Sequence, residues 1–195
     1  MKSIIIVEDQ PIMRNGLAAY FSKIGWQVVG TASSLEEAKK LFAKFTADIA
    51  LLDIQLEDGW GLDIIPWLQK KPDKPLIAVY TTFDDYAHVS VALNMGIKVY
   101  ITKRRNEQEL EAALLKALSG CEYIDEAAQI RLNNVTECIN LLTNRENEIL
   151  TLVKTGLSNK QIATDLNISR RTVENILSCI YNKTGFKSRI ELERL

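Results

Sequence analysis

Histidine is nearly missing: the 195 residues contain one, His88. A Ser-His-Asp hydrolase or a multi-histidine metal centre therefore has little to work with. His88 has no metal-ligand partner at helical spacing and reads as an ordinary helix-surface residue. Cysteine is scarce as well. Cys121, Cys138 and Cys179 are an odd set without CxxC spacing, which argues against a disulfide framework or a zinc site and for reduced thiols. Repeats and low-complexity tracts are missing too, and no apolar stretch approaches the length of a membrane span. The apolar run 3–7 is too short for a signal-peptide core and leads straight into Glu8 and Asp9. Together these absences point to the cytosol.

What is present is ordinary in bulk, with 47% hydrophobic and 25% charged residues in a chain long enough for two domains. Net charge is −1 but unevenly spread. Residues 1–135 carry 15 Lys/Arg against 18 Asp/Glu, and residues 136–195 carry 9 against 7. The basic excess at the end is compatible with nucleic-acid binding without establishing it.

The first 120 residues alternate short apolar runs with amphipathic segments, the pattern of an α/β fold with a parallel sheet. Strands are predicted over 3–7, 27–31, 48–53, 76–81 and 98–101. The first helix starts near Pro11, a residue favoured in a first turn, and ends near Gly25. The next opens with Ser34 and Glu37 in a capping-box pattern. Further helices are predicted over 62–70, 85–95 and 107–118, the last capped by Asn106 and ended by Gly120. A short helix over 125–132 and a weakly periodic connector over 133–142 follow. From Thr143 onward only short helices are predicted: one opened by Thr143 and Glu146, one capped by Ser158, one capped by Ser169 and running to about Lys183, and a last one opened by Ser188 and Glu191. Two of them joined by the tight turn 167–169 describe a helix-turn-helix.

Four pieces of the first part belong together. Glu8 and Asp9, Asp53, Thr81 and Lys103 each sit at or just past the end of a predicted strand. In a parallel sheet those ends share one edge, and ligands bind in the crevice outside it. Three carboxylates, a hydroxyl and an ammonium at one edge suit a divalent metal and a phosphoryl group. Mg2+ takes oxygen ligands and needs one or two carboxylates; Mn2+ is the alternative. Asp53, at the tip of the central strand, is the natural nucleophile for an aspartyl-phosphate. Thr81 can donate to one phosphoryl oxygen and Lys103 can place positive charge on another. Any one of these groups alone would be only a solvated loop residue or a helix cap.

Residues 1–120 resemble the receiver domain of two-component response regulators. The resemblance rests on Val7-Glu8-Asp9-Gln10-Pro11, on the loop from Asp53 to Gly61, on 92–96, and on 100–103 with Tyr100 and Lys103. It implies a flavodoxin-like, doubly wound, five-stranded parallel sheet. It also implies that the Gln55 backbone carbonyl joins Glu8, Asp9 and Asp53 as a metal ligand, and that Tyr100 is an aromatic switch that turns inward with Thr81 after phosphorylation. Glu57 and Arg104 stand where proline is common in receivers, and Glu8 replaces a more frequent Asp. None of the three removes a reacting group.

Residues 142–195 resemble the LuxR-type DNA-binding domain, through Leu142 to Glu146, Gly156 to Ala163, Ile168 to Asn175 and Tyr181 to Gly185. The pairing with a receiver is that of the NarL/FixJ family, with 121–141 as a partly helical linker and a smaller all-α four-helix domain at the end. On the recognition helix Val173, Ile176 and Ile180 repeat at core spacing, so the opposite face, with Arg171, Glu174, Asn175 and Ser178, is turned to DNA. Asn can read adenine, and Glu can accept from cytosine; a salt bridge from Glu174 to Arg170 or Arg171 is an equal alternative. Lys160, Arg170, Lys183 and Lys187 suit phosphate contacts, which position without specifying sequence.

The resemblance implies a transcription factor whose Asp53 takes a phosphoryl group from a histidine kinase, whose resting receiver obstructs the recognition helix, and which binds double-stranded DNA as a homodimer once activated. It is not a turnover enzyme beyond Mg-dependent phosphorylation and dephosphorylation of Asp53. Two rivals stay open. One is a phosphatase with an aspartyl intermediate, which would want a second carboxylate just after Asp53 and a cap insertion. The other is a DNA-binding protein whose receiver works without phosphate.

Overall fold

The computed structural model describes every residue of the chain except Lys187 and Arg194. By compactness the chain divides into two units, residues 1–84 with 92–128, and residues 85–91 with 129–195. No helix among the described residues is long and apolar enough to cross a membrane.

The first unit is built on β1 (Ser3–Val7), β2 (Gln27–Ala32), β3 (Ile49–Leu52), β6 (Leu76–Thr81), β7 (Val99–Thr102) and β8 (Tyr123–Ile124), which form one parallel sheet in the order β2-β1-β3-β6-β7-β8. Between them run α1 (Pro11–Lys23), α2 (Leu35–Lys44), a 3-10 turn (Gly61–Ile64) leading into α3 (Ile65–Leu68), and α5 (Glu107–Leu118), while α4 (Tyr86–Asn94) is divided between the two units at residue 91. A separate two-residue hairpin pairs β4 (Gln55–Leu56) with β5 (Gly59–Trp60). The central strands are buried on both faces, as a helix-covered parallel sheet requires. Ile4, Ile6, Ile49, Leu51, Ala78, Tyr80, Val99 and Ile101 pack with Leu17, Phe21, Leu110 and Leu114 from α1 and α5, while the alternate Ile5, Val7, Ala50, Leu52, Val79 and Tyr100 are equally inaccessible.

The doubly wound sheet agrees with the expectation, but it has six strands rather than five. The sixth, β8, lies in the segment expected to be linker, and it is too short to show any alternation in sequence. Val99 and Tyr100 pair with Tyr123 and Ile124 along it. The linker is also more regular than expected, since α6 (Glu126–Asn140) runs unbroken through the supposed connector. Asn133 and Asn134 hide its periodicity, yet Ala128, Leu132, Val135 and Ile139 keep one apolar stripe at helical spacing. The helix predicted over 62–70 is shorter, because Pro66 has no N–H to give the Leu62 carbonyl. Its first turn is 3-10 and only Ile65–Leu68 is α-helical.

The second unit contains α7 (Asn144–Lys154), α8 (Asn159–Asp165), α9 (Arg170–Thr184) and α10 (Arg189–Glu193). Each of α7 and α8 starts with a complete capping box, Thr143 with Glu146 and Ser158 with Gln161. Asn167, at φ 51°, makes the turn between α8 and α9 in the left-handed region that Asn tolerates better than most residues. The core is Ile149, Leu150, Val153, Ile162, Val173, Leu177, Ile180 and Leu192. Leu177 is the core residue sequence spacing missed; Ile176 is only half-buried.

Glu146 is tied down twice: its Oε2 accepts from the Thr143 N–H and from the Lys183 ammonium, both at 2.7 Å. Those bonds, Lys183 first, hold its carboxyl below the ordinary value of 4.5. A depressed folded-state value stabilises above the unfolded pKa and is lost as pH falls through the folded one. Acid titration of the Glu146→Gln chain followed by circular dichroism is expected to show a flatter loss of helix below about pH 4.5 than the wild type, at the cost of lower stability at neutral pH.

Candidate functional site

Strand register brings the four pieces together. Val7 lies opposite Leu52, Leu52 opposite Val79, and Thr81 opposite Thr102. The residues that follow stay in the ladder: Glu8 N–H donates to the Ala32 carbonyl at 2.9 Å, Asp53 N–H to Val7 at 2.9 Å, and Lys103 N–H to Thr81 at 2.7 Å. Backbone hydrogen bonds thus fix the base of each functional side chain on one sheet edge.

The Lys103 ammonium lies between two carboxylates, 2.7 Å from Glu8 Oε2 and 2.8 Å from Asp53 Oδ2, with all three side chains almost wholly buried. Burial raises the Glu8 carboxyl above its ordinary value in spite of Lys103, and the Asp53 carboxylate adds to the rise. Burial lowers the Lys103 value, but its hydrogen bonds to Asp53 and Glu8 outweigh that and leave it raised. One cation shared by two buried carboxylates leaves the cluster short of positive charge. Glu8, Asp9 and Asp53 each offer an oxygen within 4.8 Å of the others, a set able to hold a metal ion. All are hard oxygen donors, the chemistry a Mg2+ or Mn2+ ion prefers.

Asp53 Oδ1 accepts from the Ile54 N–H at 2.7 Å. Thr81 is fully buried, and its hydroxyl is the one buried side-chain polar atom among the described residues with no hydrogen-bond partner. Such a vacancy costs about 1–3 kcal/mol and asks for an explanation. Tyr100 is buried, with its hydroxyl donating to the Phe83 carbonyl at 2.9 Å, so the aromatic side chain already lies inside. Gln55 opens β4 with its side chain exposed.

The α9 face is equally definite. Arg170, Arg171, Glu174, Asn175 and Ser178 are exposed, as is Lys160 on α8, while Val173, Leu177, Ile180 and Thr184 are turned to the core. Glu174 accepts from Arg170 Nε at 2.8 Å across one turn, the salt-bridge alternative for that residue. Lys183 is exposed but committed to Glu146, and Lys187 lies outside the described residues.

The response regulator receiver domain profile matches residues 4–115, and that of the luxR family of bacterial regulatory proteins matches residues 140–195. The nitrate/nitrite response regulator protein NarL of Escherichia coli strain K12 is 32% identical over 198 residues, 97% of this chain and 92% of its own length. The chain belongs to the NarL/FixJ family of response regulators. The transcriptional regulatory protein DesR of Bacillus subtilis strain 168 is 31% identical, over 98% of this chain and 94% of its own. In fold, the regulator is similar to RcsB of Salmonella enterica serovar Typhimurium bound to promoter rprA, with a TM-score of 0.75 at 23% identity over 99% of this chain and 96% of that one.

Several residues of the regulator's site escaped sequence reasoning. Arg14 Nη1 donates to the backbone carbonyls of Glu8 at 2.7 Å and Asp9 at 2.9 Å, holding the acidic turn. A cation this near a helix N-terminus opposes the macrodipole, and that anomaly was the available signal. Asp58, in the hairpin turn after Asp53, accepts from the N–H groups of Leu35 and Glu36 at 2.8 and 3.1 Å, so α2 is capped from across the chain. Ser34 caps the Glu37 N–H at 3.2 Å as expected, but the Glu37 carboxylate accepts from Ser33 rather than from the Ser34 N–H. His88 is half-buried rather than open to solvent, with its ring 2.6 Å from Asp85 Oδ2.

Gly61 shows how tightly the Asp53 loop is built: a Cβ there would lie 1.8 Å from the Asp53 carbonyl oxygen. Gly61→Ala must displace that backbone, and a loss of about 1–3 kcal/mol is expected, together with weaker divalent-cation binding. Thermal melts and Mn2+ titration of the variant check both; wild-type values for the two would show that the loop yields freely.

Proposed function

We propose that this response regulator accepts a phosphoryl group on Asp53 from a sensor histidine kinase and, once phosphorylated, regulates transcription as a DNA-bound homodimer in the cytoplasm. In this reading residues 1–120 are the phosphoacceptor part and 142–195 the DNA-binding part. The observation that carries the reading is the Thr81 hydroxyl, buried at the same strand-end edge as Asp53 and Lys103 and without an acceptor in the protein. A phosphoryl oxygen on Asp53 supplies that acceptor.

The chemistry follows from the side chains. An Asp53 carboxylate oxygen attacks phosphorus, the bond from phosphorus to the donor's imidazole nitrogen breaks, and the nitrogen leaves with the electron pair. Glu8, Asp9, Asp53 and the Gln55 carbonyl would hold Mg2+, which would neutralise the crowding of carboxylate and phosphoryl charge. Lys103 gives up part of its contact with Asp53 Oδ2 and places its charge on a phosphoryl oxygen, where preorganised positive charge counts most. Thr81 donates to another oxygen. Tyr100, one strand away and hydrogen-bonded to Phe83 just past Thr81, is the group whose packing reports that change, the local event of a phosphorylation switch.

On DNA, Arg171, Asn175 and Ser178 meet base edges and Lys160 contacts phosphate, while Glu174 and Arg170 exchange their mutual ion pair for base edge and phosphate respectively. Lys183 and Lys187 complete the basic set, Lys183 by exchanging Glu146 for phosphate. NarL is a nitrate/nitrite response regulator by name, which supports a regulator here, and the RcsB structure holds dimers bound to DNA, which supports a dimer. Half-sites are then spaced by one helical turn or a multiple of it.

Asp53→Ala is expected to fold and to lose phosphodonor-dependent DNA binding in gel-shift titrations; an undiminished response to phosphodonor would sink the assignment. On the DNA side, Lys160→Ala should weaken binding to all sequences and reduce the salt slope by about 1. Asn175→Ala should instead cost about 1–3 kcal/mol on the preferred site alone. Binding measured on specific and random DNA at two salt concentrations separates the two, and identical behaviour of the variants would refute the division of labour.

A further inference from the structure

Asp125 stands just past β8, outside the span 4–115 matched to the receiver profile, yet it is 1% exposed. A buried carboxylate is costly unless paired, and this one is fully engaged. Oδ2 accepts from the Thr102 hydroxyl at 2.5 Å and from the Thr102 N–H at 3.2 Å. Oδ1 accepts from Arg105 Nη2 at 2.9 Å and Nε at 3.1 Å. Its own N–H donates to the Tyr100 carbonyl at 2.8 Å. Burial raises the Asp125 value, but the bonds from Arg105 and Thr102 outweigh it and leave the carboxyl below the ordinary range.

Thr102 and Arg105 flank Lys103. The segment between them is short and closed, with Arg105 N–H donating to the Thr102 carbonyl at 3.0 Å. Tyr80, whose phenol is pushed up to about 12 mainly by burial, donates to the Arg105 carbonyl at 3.1 Å. Arg105 is braced further by Glu109 at 3.1 Å. The backbone that carries Lys103 is therefore gripped on either side by a single carboxylate from the segment after α5.

We propose that Asp125 is a positioning residue of the phosphoacceptor site: through Thr102 and Arg105 it fixes the backbone that aims the Lys103 ammonium at Asp53, which makes β8 a working part of the receiver. The proposal rests on the reading of Asp53 as phosphoacceptor. Asp125 touches none of the reacting groups. Its effect is on the orientation of Lys103, and misplacing a charge-stabilising group by a fraction of an ångström lowers the rate of transfer rather than the number of competent molecules.

The test uses the full chain and acetyl phosphate with Mg2+, in which the Asp53 oxygen bonds phosphorus, the bond from phosphorus to the acetyl oxygen breaks and acetate leaves. Phosphorylation is followed as a single turnover, with rate constant and amplitude measured separately. Asp125→Asn and Thr102→Val are expected to lower the rate constant about tenfold at full amplitude, and Thr102→Ser, which keeps the hydroxyl, to stay within about twofold of wild type. Wild-type rate constants in the first two variants overturn the proposal. So does a fall in amplitude at an unchanged rate constant, the mark of a purely structural role. If Asp125→Asn does not fold, the contrast between Thr102→Val and Thr102→Ser decides by the same criteria. The Asp53→Ala chain separates the two ideas. Silence there, with normal rates in the other variants, rejects only the role of Asp125, whereas labelling of that chain rejects the phosphoacceptor reading and the proposal with it.

Discussion

The site rests on one buried ammonium shared by two buried carboxylates. Lys103 reaches Glu8 on one side and Asp53 on the other, and neither carboxylate is solvated well enough to do without it. That shared cation ties the ends of β1, β3 and β7 together by charge as well as by the ladder. It also leaves the cluster electron-rich, with Asp9 as a third carboxylate close by. A divalent cation and a phosphoryl group, one positive and one negative, can enter such a cluster together more easily than either can alone.

Around that triad the protein spends its small irregular features on geometry. Arg14 holds the acidic turn by its carbonyls, Asp58 links the loop after Asp53 to the start of α2, and Gly61 lets the chain pass against the Asp53 carbonyl where no Cβ fits. Asp125 grips the residues on either side of Lys103. Asp58 and Asp125 each reach a segment 23 residues away, whereas Arg14 and Gly61 act on the nearby acidic turn and the loop after Asp53. The C-terminal unit follows the same economy, with Lys183 and Glu146 linking the end of α9 to the start of α7.

Much of this was legible in sequence. Apolar runs ending in Glu8, Asp53, Thr81 and Lys103 announced both the sheet and the shared edge, because a parallel sheet collects its strand ends on one side. The N-caps Asn106 and Ser158 and the Thr143–Glu146 box mark helix starts correctly, since a cap is a local bond between residues three apart. Less legible were β8, too short for alternation, and α6, whose paired asparagines masked a continuous stripe. The 3-10 turn before α3 has its only local signal in Pro66.

The sequence by itself determined five of the sheet's strands, the capped helix starts, the residues of the strand-end cluster and the exposed face of α9, since periodicity, capping and strand-end position are properties of neighbours along the chain. The tertiary structure alone decided that Lys103 bridges Glu8 and Asp53, that the Thr81 hydroxyl is left without an acceptor, that Tyr100 lies inward, and that Asp125 is buried against Thr102 and Arg105. Those are questions of which distant groups meet in a space closed to water, where each polar atom must find a partner or stand without one.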